Sequence, residues 1–156
     1  MKRVLILCEG QTEETFVTRI LAPHLLGYNI VTTPKVLVTK KVKSGYEFKG
    51  GITSYPHVRR DVQNLLRDTA AVCVTTLLDY YGLPDDFPGK STLPKATPYQ
   101  RVEYLENAFA QDIANQRFLP YLMLHEFEAL LFVDLSAVGE ALARAVTPQS
   151  FGDLSR

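Results

Sequence analysis

Three carboxylates stand at the ends of apolar runs. Glu9 follows Leu5-Ile6-Leu7-Cys8, Asp79 follows Leu77-Leu78, and Glu126 follows Leu122-Met123-Leu124-His125. Runs of this kind read as buried strands, and in an open parallel sheet the carboxyl ends of the strands line one edge. Residues far apart in the chain then converge. Acids brought together without a counter-charge repel one another and raise each other's pKa, a cost that a divalent cation removes. Donors that are all oxygen select hard ions, so Mg²⁺ or Mn²⁺ is expected rather than Zn²⁺. A single acid in such a place is ordinarily the first polar residue outside the core. The threefold recurrence is what points to a metal set of Glu9, Asp79 and Glu126, with Glu128 in support and with Glu9 and Asp79 as the catalytic pair. Glu128 shares a face with Glu126 if the segment is extended, and does not if it is helical. Gly10 is expected to let the backbone turn beside a ligand.

Other polar residues have simpler readings. Glu13 and Glu14 fall in a first helical turn, where acids meet the positive end of the helix dipole. Asp85 and Asp86 read as solvated loop residues, and His125 as a packing or hydrogen-bonding residue. Cys8 and Cys73, the only cysteines, lie in apolar runs and read as buried, reduced thiols.

A cationic stretch accompanies the acids. Residues 35–60 hold Lys35, Lys40, Lys41, Lys43, Lys49, Arg59 and Arg60 against Glu47 alone, a net +6 in a chain whose total is zero. The remainder therefore carries −6, which suggests separate basic and acidic regions. Within TKKVKSGYEFKGG the lysines neutralise phosphate and the glycines permit close backbone approach; Tyr46 and Phe48 offer rings for stacking on bases. A solvated hairpin protecting a sheet edge explains the same composition equally well. An adjacent acidic crevice favours phosphate, with Lys40, Lys41, Lys43, Lys49, Arg59 and Arg60 holding a nucleic-acid backbone. A metal site beside a cationic strip suits phosphodiester chemistry.

The elements that must position these residues alternate. Strands are expected at Lys2–Cys8, Asn29–Thr39 (interrupted near Pro34), Ala70–Leu78 and Phe118–Leu124. Helices are expected over Glu13–Leu26, His57–Arg67, Tyr99–Ala114 and Glu128–Val146. In the first, Phe16, Val17, Ile20 and Leu21 form the inward face, and Pro23 ends or kinks the helix. Tyr80–Pro98 reads as a long irregular loop with four prolines, and such loops are usually functional or mobile. The alternation predicts an α/β fold: an open, mainly parallel sheet of about four strands with helices on both faces.

At 156 residues with 46% hydrophobic content, one domain spanning the chain is expected, with a substantial core. No apolar run is long enough to span a membrane, and the N-terminus lacks the pattern of a signal peptide, so a cytoplasmic protein without a membrane partner is expected. No G-x-x-x-x-G-K loop is present, which weakens a nucleotide-binding reading.

Glu9-Gly10 after the first strand, Asp79 after a middle strand and a later acidic cluster resemble the Toprim fold of topoisomerases, bacterial-type primases and overcoming-lysogenization-defect nucleases. More closely, EGQTEETF (9–16), LLDYYGLP (77–84) and LHEFEALLF (124–132) resemble a prokaryotic Toprim-like family labelled a domain of unknown function. The resemblance spans essentially the whole chain. It implies a metal-dependent nuclease acting on DNA or RNA, working with an ATPase of the AAA or SMC type in anti-phage defence. It also implies that Glu9 is the Toprim glutamate, a metal ligand or general acid/base, and that Asp79 is the first acid of the Asp-x-Asp motif. Tyr81 stands where the second acid is expected. That departure, with a short C-terminus, leaves open a catalytically silent module that docks onto an ATPase. It also leaves open one metal or two, and a homodimer.

Overall fold

The apolar residues Val4–Cys8 make β1 (Lys2–Cys8) a strand that must be covered on both faces. The computed structural model describes residues 1–37 and 52–125. After β1 come α1 (Gln11–Phe16), a π-helical segment (Val17–Leu21) and α2 (Ala22–Leu26), then β2 (Ile30–Val36) and α3 (Tyr55–Leu66). β3 (Ala71–Asp79), a 3₁₀ turn at Lys90–Thr92, α4 (Pro98–Ile113), β4 (Phe118–Leu119) and β5 (Leu122–Met123) follow.

Among the described residues the strand pairings are all parallel, in the order β2-β1-β3-β4, with β5 also on β3. The chain thus leaves β1 to one side and returns to its other side. With right-handed crossovers, those two excursions place their helices on opposite faces. The side chains agree. Leu5 and Leu7 enter a large core with Val58 and Val62 of α3 and Leu105 and Phe109 of α4. Ile6 and Cys8 point the other way, into a smaller core with Val17 and Leu77. This is the expected open α/β arrangement, and it fits a Toprim-like sheet. Among the described residues no helix is long and apolar enough to cross a membrane.

The first helix reaches Leu26, as expected; Pro23 does not end it, and the winding changes before it. A proline ring inside an α-helix collides with the carbonyl four residues back and cannot donate to it. The chain widens to i→i+5 bonding just before it, with Ala22 N–H reaching the Val17 carbonyl. The wider winding shifts the inward face. Val17 is fully buried and Phe16 and Leu21 pack beside it, but Ile20, expected inside, is 60% exposed.

Two other prolines meet the sheet. Pro34 was expected to interrupt the second strand, yet β2 continues through it, opposite Ile6. Among the described strands β2 pairs only with β1, so its other edge needs no donor. Pro120 does break the last strand, separating β4 from β5. The buried Thr76 hydroxyl of β3 spans the gap, donating to the Tyr121 carbonyl at 2.8 Å and accepting from the Tyr121 N–H at 2.9 Å. Glu106 of α4 accepts from the Leu122 N–H at 2.8 Å. Burial and the nearby Glu103 charge raise the Glu106 pKa, partly offset by that hydrogen bond.

The long segment 80–97 is anchored. Leu83 and Phe87 are core residues, and Phe87 meets Tyr55 and Phe109 edge-on. The Lys90 ammonium donates to the Leu83 carbonyl and pairs with exposed Asp85. Gly89 has φ +81°, and an added Cβ would lie 3.0 Å from both Ala108 and Tyr104, so only glycine fits there. Asp86 is exposed, as expected, and it also accepts from the Tyr55 N–H at 2.9 Å, serving the N-terminus of α3, where the Ser54 side chain makes no cap.

Two measurements by chemical denaturation test this account. Val17→Ala should cost about 2 kcal/mol through lost burial and a cavity, while Ile20→Ser should stay within about 0.5 kcal/mol. The reverse order would mean that the helix keeps plain α winding. Thr76→Val should cost about 1–3 kcal/mol, because it leaves both Tyr121 backbone groups without their partner.

Candidate functional site

The carboxyl ends of β1 and β3 lie side by side. Cys8 is in register with Leu77, and Glu9 N–H donates to the Leu77 carbonyl at 3.2 Å. This is where the strand order reverses, the place at which open α/β sheets form a crevice. Glu9 and Asp79, expected to converge, do so. Glu9 Oε2 accepts from the Asp79 N–H at 3.1 Å. Burial raises the Glu9 pKa, the Asp79 N–H opposes that, and the charges of Asp79 and Glu13 add to the rise.

Gly82 borders Glu9 as well; the motif LLDYYGLP contains it without giving it a role. A Cβ there would lie 3.3 Å from Glu9 Oε1 and 3.7 Å from Oε2, so the missing side chain makes room for the carboxylate. The turn is closed by Gly82 N–H donating to the Asp79 carbonyl at 3.2 Å. The signal lay in the sequence as the glycine three residues after the acid in DYYG.

Gly10 has a different role from the one expected. Its backbone is extended (φ −143°, ψ −168°), a conformation open to any residue, so no special turn requires glycine. What constrains it is space: an added Cβ would lie 3.2 Å from Glu13 Oε2. The Glu13 carboxylate is buried and accepts from the Gly10 N–H at 2.8 Å. Glu13 therefore caps its own helix from inside, a tighter role than a dipole contact, and it places a second charge near Glu9.

Cys8, just before Glu9, is fully buried, and burial together with Glu13 and Glu14 pushes its thiol up to about 12. It stays protonated and inert at neutral pH. Cys73 is a free thiol too, half-buried, and burial raises its pKa.

The basic residues are only partly within view. Arg59 and Arg60 lie in α3. The Arg59 Nε donates to Asp112 at 2.8 Å, and Asp112 also takes the Tyr55 hydroxyl; Arg60 pairs with its neighbour Asp61 at 3.3 Å. Lys40, Lys41, Lys43 and Lys49 lie outside the described residues, as do Glu126 and Glu128. His125, expected to pack or hydrogen-bond, is exposed at the end of the sheet. Asp79 pairs in register with Met123, three residues before Glu126. Among the described residues no three His, Cys, Asp or Glu side chains group closely enough to hold a metal. Of the expected set, Glu9 and Asp79 are the two acids that lie among the described residues.

The model of the family described as "Domain of unknown function (DUF4276)" matches residues 8–151. Comparisons with curated proteins and with solved structures give no significant match.

The raised Glu9 pKa has a consequence for stability. A carboxyl whose folded pKa lies above its unfolded one contributes most below the unfolded value, and that contribution is lost as pH rises through the folded value. Glu9→Gln keeps an acceptor for the Asp79 N–H and carries no charge. In chelator at neutral pH it should melt above the wild type, with the difference closing as pH falls through the carboxylate range. A variant that melts lower at neutral pH would show that the folded protein stabilises the Glu9 charge.

Proposed function

The chain belongs to the DUF4276 family, and we propose that it is a Toprim-like nuclease that binds Mg²⁺ or Mn²⁺ and hydrolyses phosphodiester bonds of DNA or RNA. The observation that carries this reading is the meeting of Glu9 and Asp79 at the β1–β3 edge, with Glu9 held against ready ionisation by burial and by neighbouring acids. A crevice that concentrates negative charge gains from a divalent cation. Glu9 and Asp79 would hold the ion, with Glu126 and Glu128 as the proposed remaining donors. Such an ion supplies an activated water and charge stabilisation for the leaving oxygen. Burial raises the proton affinity of Glu9, which favours a role as proton acceptor. Gly82 leaves room for the Glu9 carboxylate. Lys40, Lys41, Lys43, Lys49, Arg59 and Arg60 are proposed to contact the nucleic-acid backbone; Arg59 would keep its bond to Asp112 while offering its other donors. The likeness of the three motifs to a Toprim-like family supports a role beside an AAA- or SMC-type ATPase in prokaryotic defence.

A second reading is favoured by Tyr81, which stands where a second acid is expected. In it the domain is a catalytically silent module that docks onto an ATPase.

Incubation of the full chain with plasmid, single-stranded DNA and transfer RNA in Mn²⁺ separates the two. The nuclease reading expects cleavage that is abolished by chelator. It also expects a fall of about 100-fold or more in Glu9→Gln and Asp79→Asn with folding intact. No cleavage by the wild type alone or with an ATPase partner would leave the docking module.

A further inference from the structure

The turn after Asp79 holds two aromatic rings that metal binding does not explain. Tyr80 and Tyr81 fill its central positions, between Asp79 and Gly82. Tyr80 is half-buried and packs on the larger core. Tyr81 is 66% exposed. The two rings meet edge to face, with centroids 5.0 Å apart and planes at 77°.

Single exposed apolar side chains are common on protein surfaces and ordinarily need no explanation. Tyr81 differs because the residues on either side of it are fixed by three backbone bonds. The Asp79 N–H is bonded to Glu9, the Tyr80 N–H to the Met123 carbonyl at 2.9 Å, and the Gly82 N–H to the Asp79 carbonyl. The turn is thereby tied to both strands that flank β3, and a core-anchored ring braces Tyr81 from beneath. A ring held this way loses little freedom when something stacks on it. Its place matters as much as its rigidity. Both ends of the turn border the Glu9 carboxylate, Asp79 through its N–H and Gly82 through the space it leaves open.

A flat, solvent-facing π surface beside a carboxylate edge suits a nucleobase, because every base has a π face. Bases in a duplex keep those faces covered by their neighbours, and only an unpaired or extruded base can offer one. We infer that Tyr81 is a stacking platform for an unpaired base, and that the strand lying across the Glu9–Asp79 edge is single-stranded nucleic acid. This rests on the nucleic-acid reading above and narrows its substrate class. It also gives the tyrosine in the acid's place a role of its own.

The test uses the full chain and fluorescein-labelled strands of about 16 nucleotides, as single-stranded DNA, single-stranded RNA and blunt duplex DNA, with binding read by anisotropy in calcium. A single strand of one or both sugars should bind more tightly than the duplex. Tyr81→Ala should weaken that binding about 5- to 100-fold, while Tyr81→Phe, which keeps the ring, should stay within about twofold. Equal melting temperatures for the three proteins are expected, since the ring is exposed. The inference is overturned if Tyr81→Ala binds like the wild type, if the duplex binds as well as the single strands, or if no strand binds. Cleavage in Mn²⁺ is scored separately. Cleavage that persists with Tyr81-independent binding would sink the stacking role and leave the nuclease. Tyr81-dependent binding without cleavage would keep the platform and sink the nuclease.

Discussion

Placing a carboxylate at the half-buried end of a core strand is the constraint around which this edge of the molecule is arranged. β1 runs between two parallel neighbours and feeds both cores, so Glu9 leaves the sheet where water is already restricted. A charge there needs a donor, room and a reason to stay. Asp79 supplies the donor from its backbone, so its side chain is not needed for that contact. Gly82 supplies the room. Two further acids, Asp79 and Glu13, work against the ionisation of Glu9.

The surroundings hold that edge still. Pro120 removes a donor from the last strand, and without compensation the strand leading to Glu126 would be loosely tied. The Thr76 hydroxyl and the Glu106 carboxylate take over the missing ladder contacts from two different elements. On the other side of the crevice, the segment after Asp79 is pinned by Leu83 and Phe87 in the core and by Asp86 on the first turn of α3. At the opposite end of the sheet, the Arg117 guanidinium gathers the carbonyls of Leu66, Asp68 and Ala71, closing α3 onto the start of β3. Polar groups thus replace regular backbone pairing wherever the chain departs from it.

Much of the fold was legible because its signals are local. The runs at Lys2–Cys8 and Ala71–Asp79 are too apolar to sit anywhere but inside a covered sheet, and the helices of 55–66 and 98–113 show their inward residues at regular spacing. The misreadings were also local in origin. Ile20 fits an ideal α-helical face, but the π segment before Pro23 turns it outward. Pro34 looks like a strand breaker until β2 proves to pair on one side only among the described residues. Asp86 is the exposed loop acid that the sequence suggests, and its bond to a helix start 31 residues earlier is the part that local signals do not carry.

What the sequence determined by itself was the inventory: which segments are apolar enough to be buried, which acids follow them, and that the strands alternate with helices. Those properties depend on neighbours along the chain. The tertiary structure alone decided which strand ends are adjacent, that the Asp79 amide and not its position in a motif engages Glu9, and that Gly82 leaves room beside the Glu9 carboxylate. Each of these is a contact between residues distant in sequence, set by the order β2-β1-β3 and by the space left when two cores close on either side of β1. Sequence periodicity carries no record of that order, because it reports which face of an element is buried and not which element buries it.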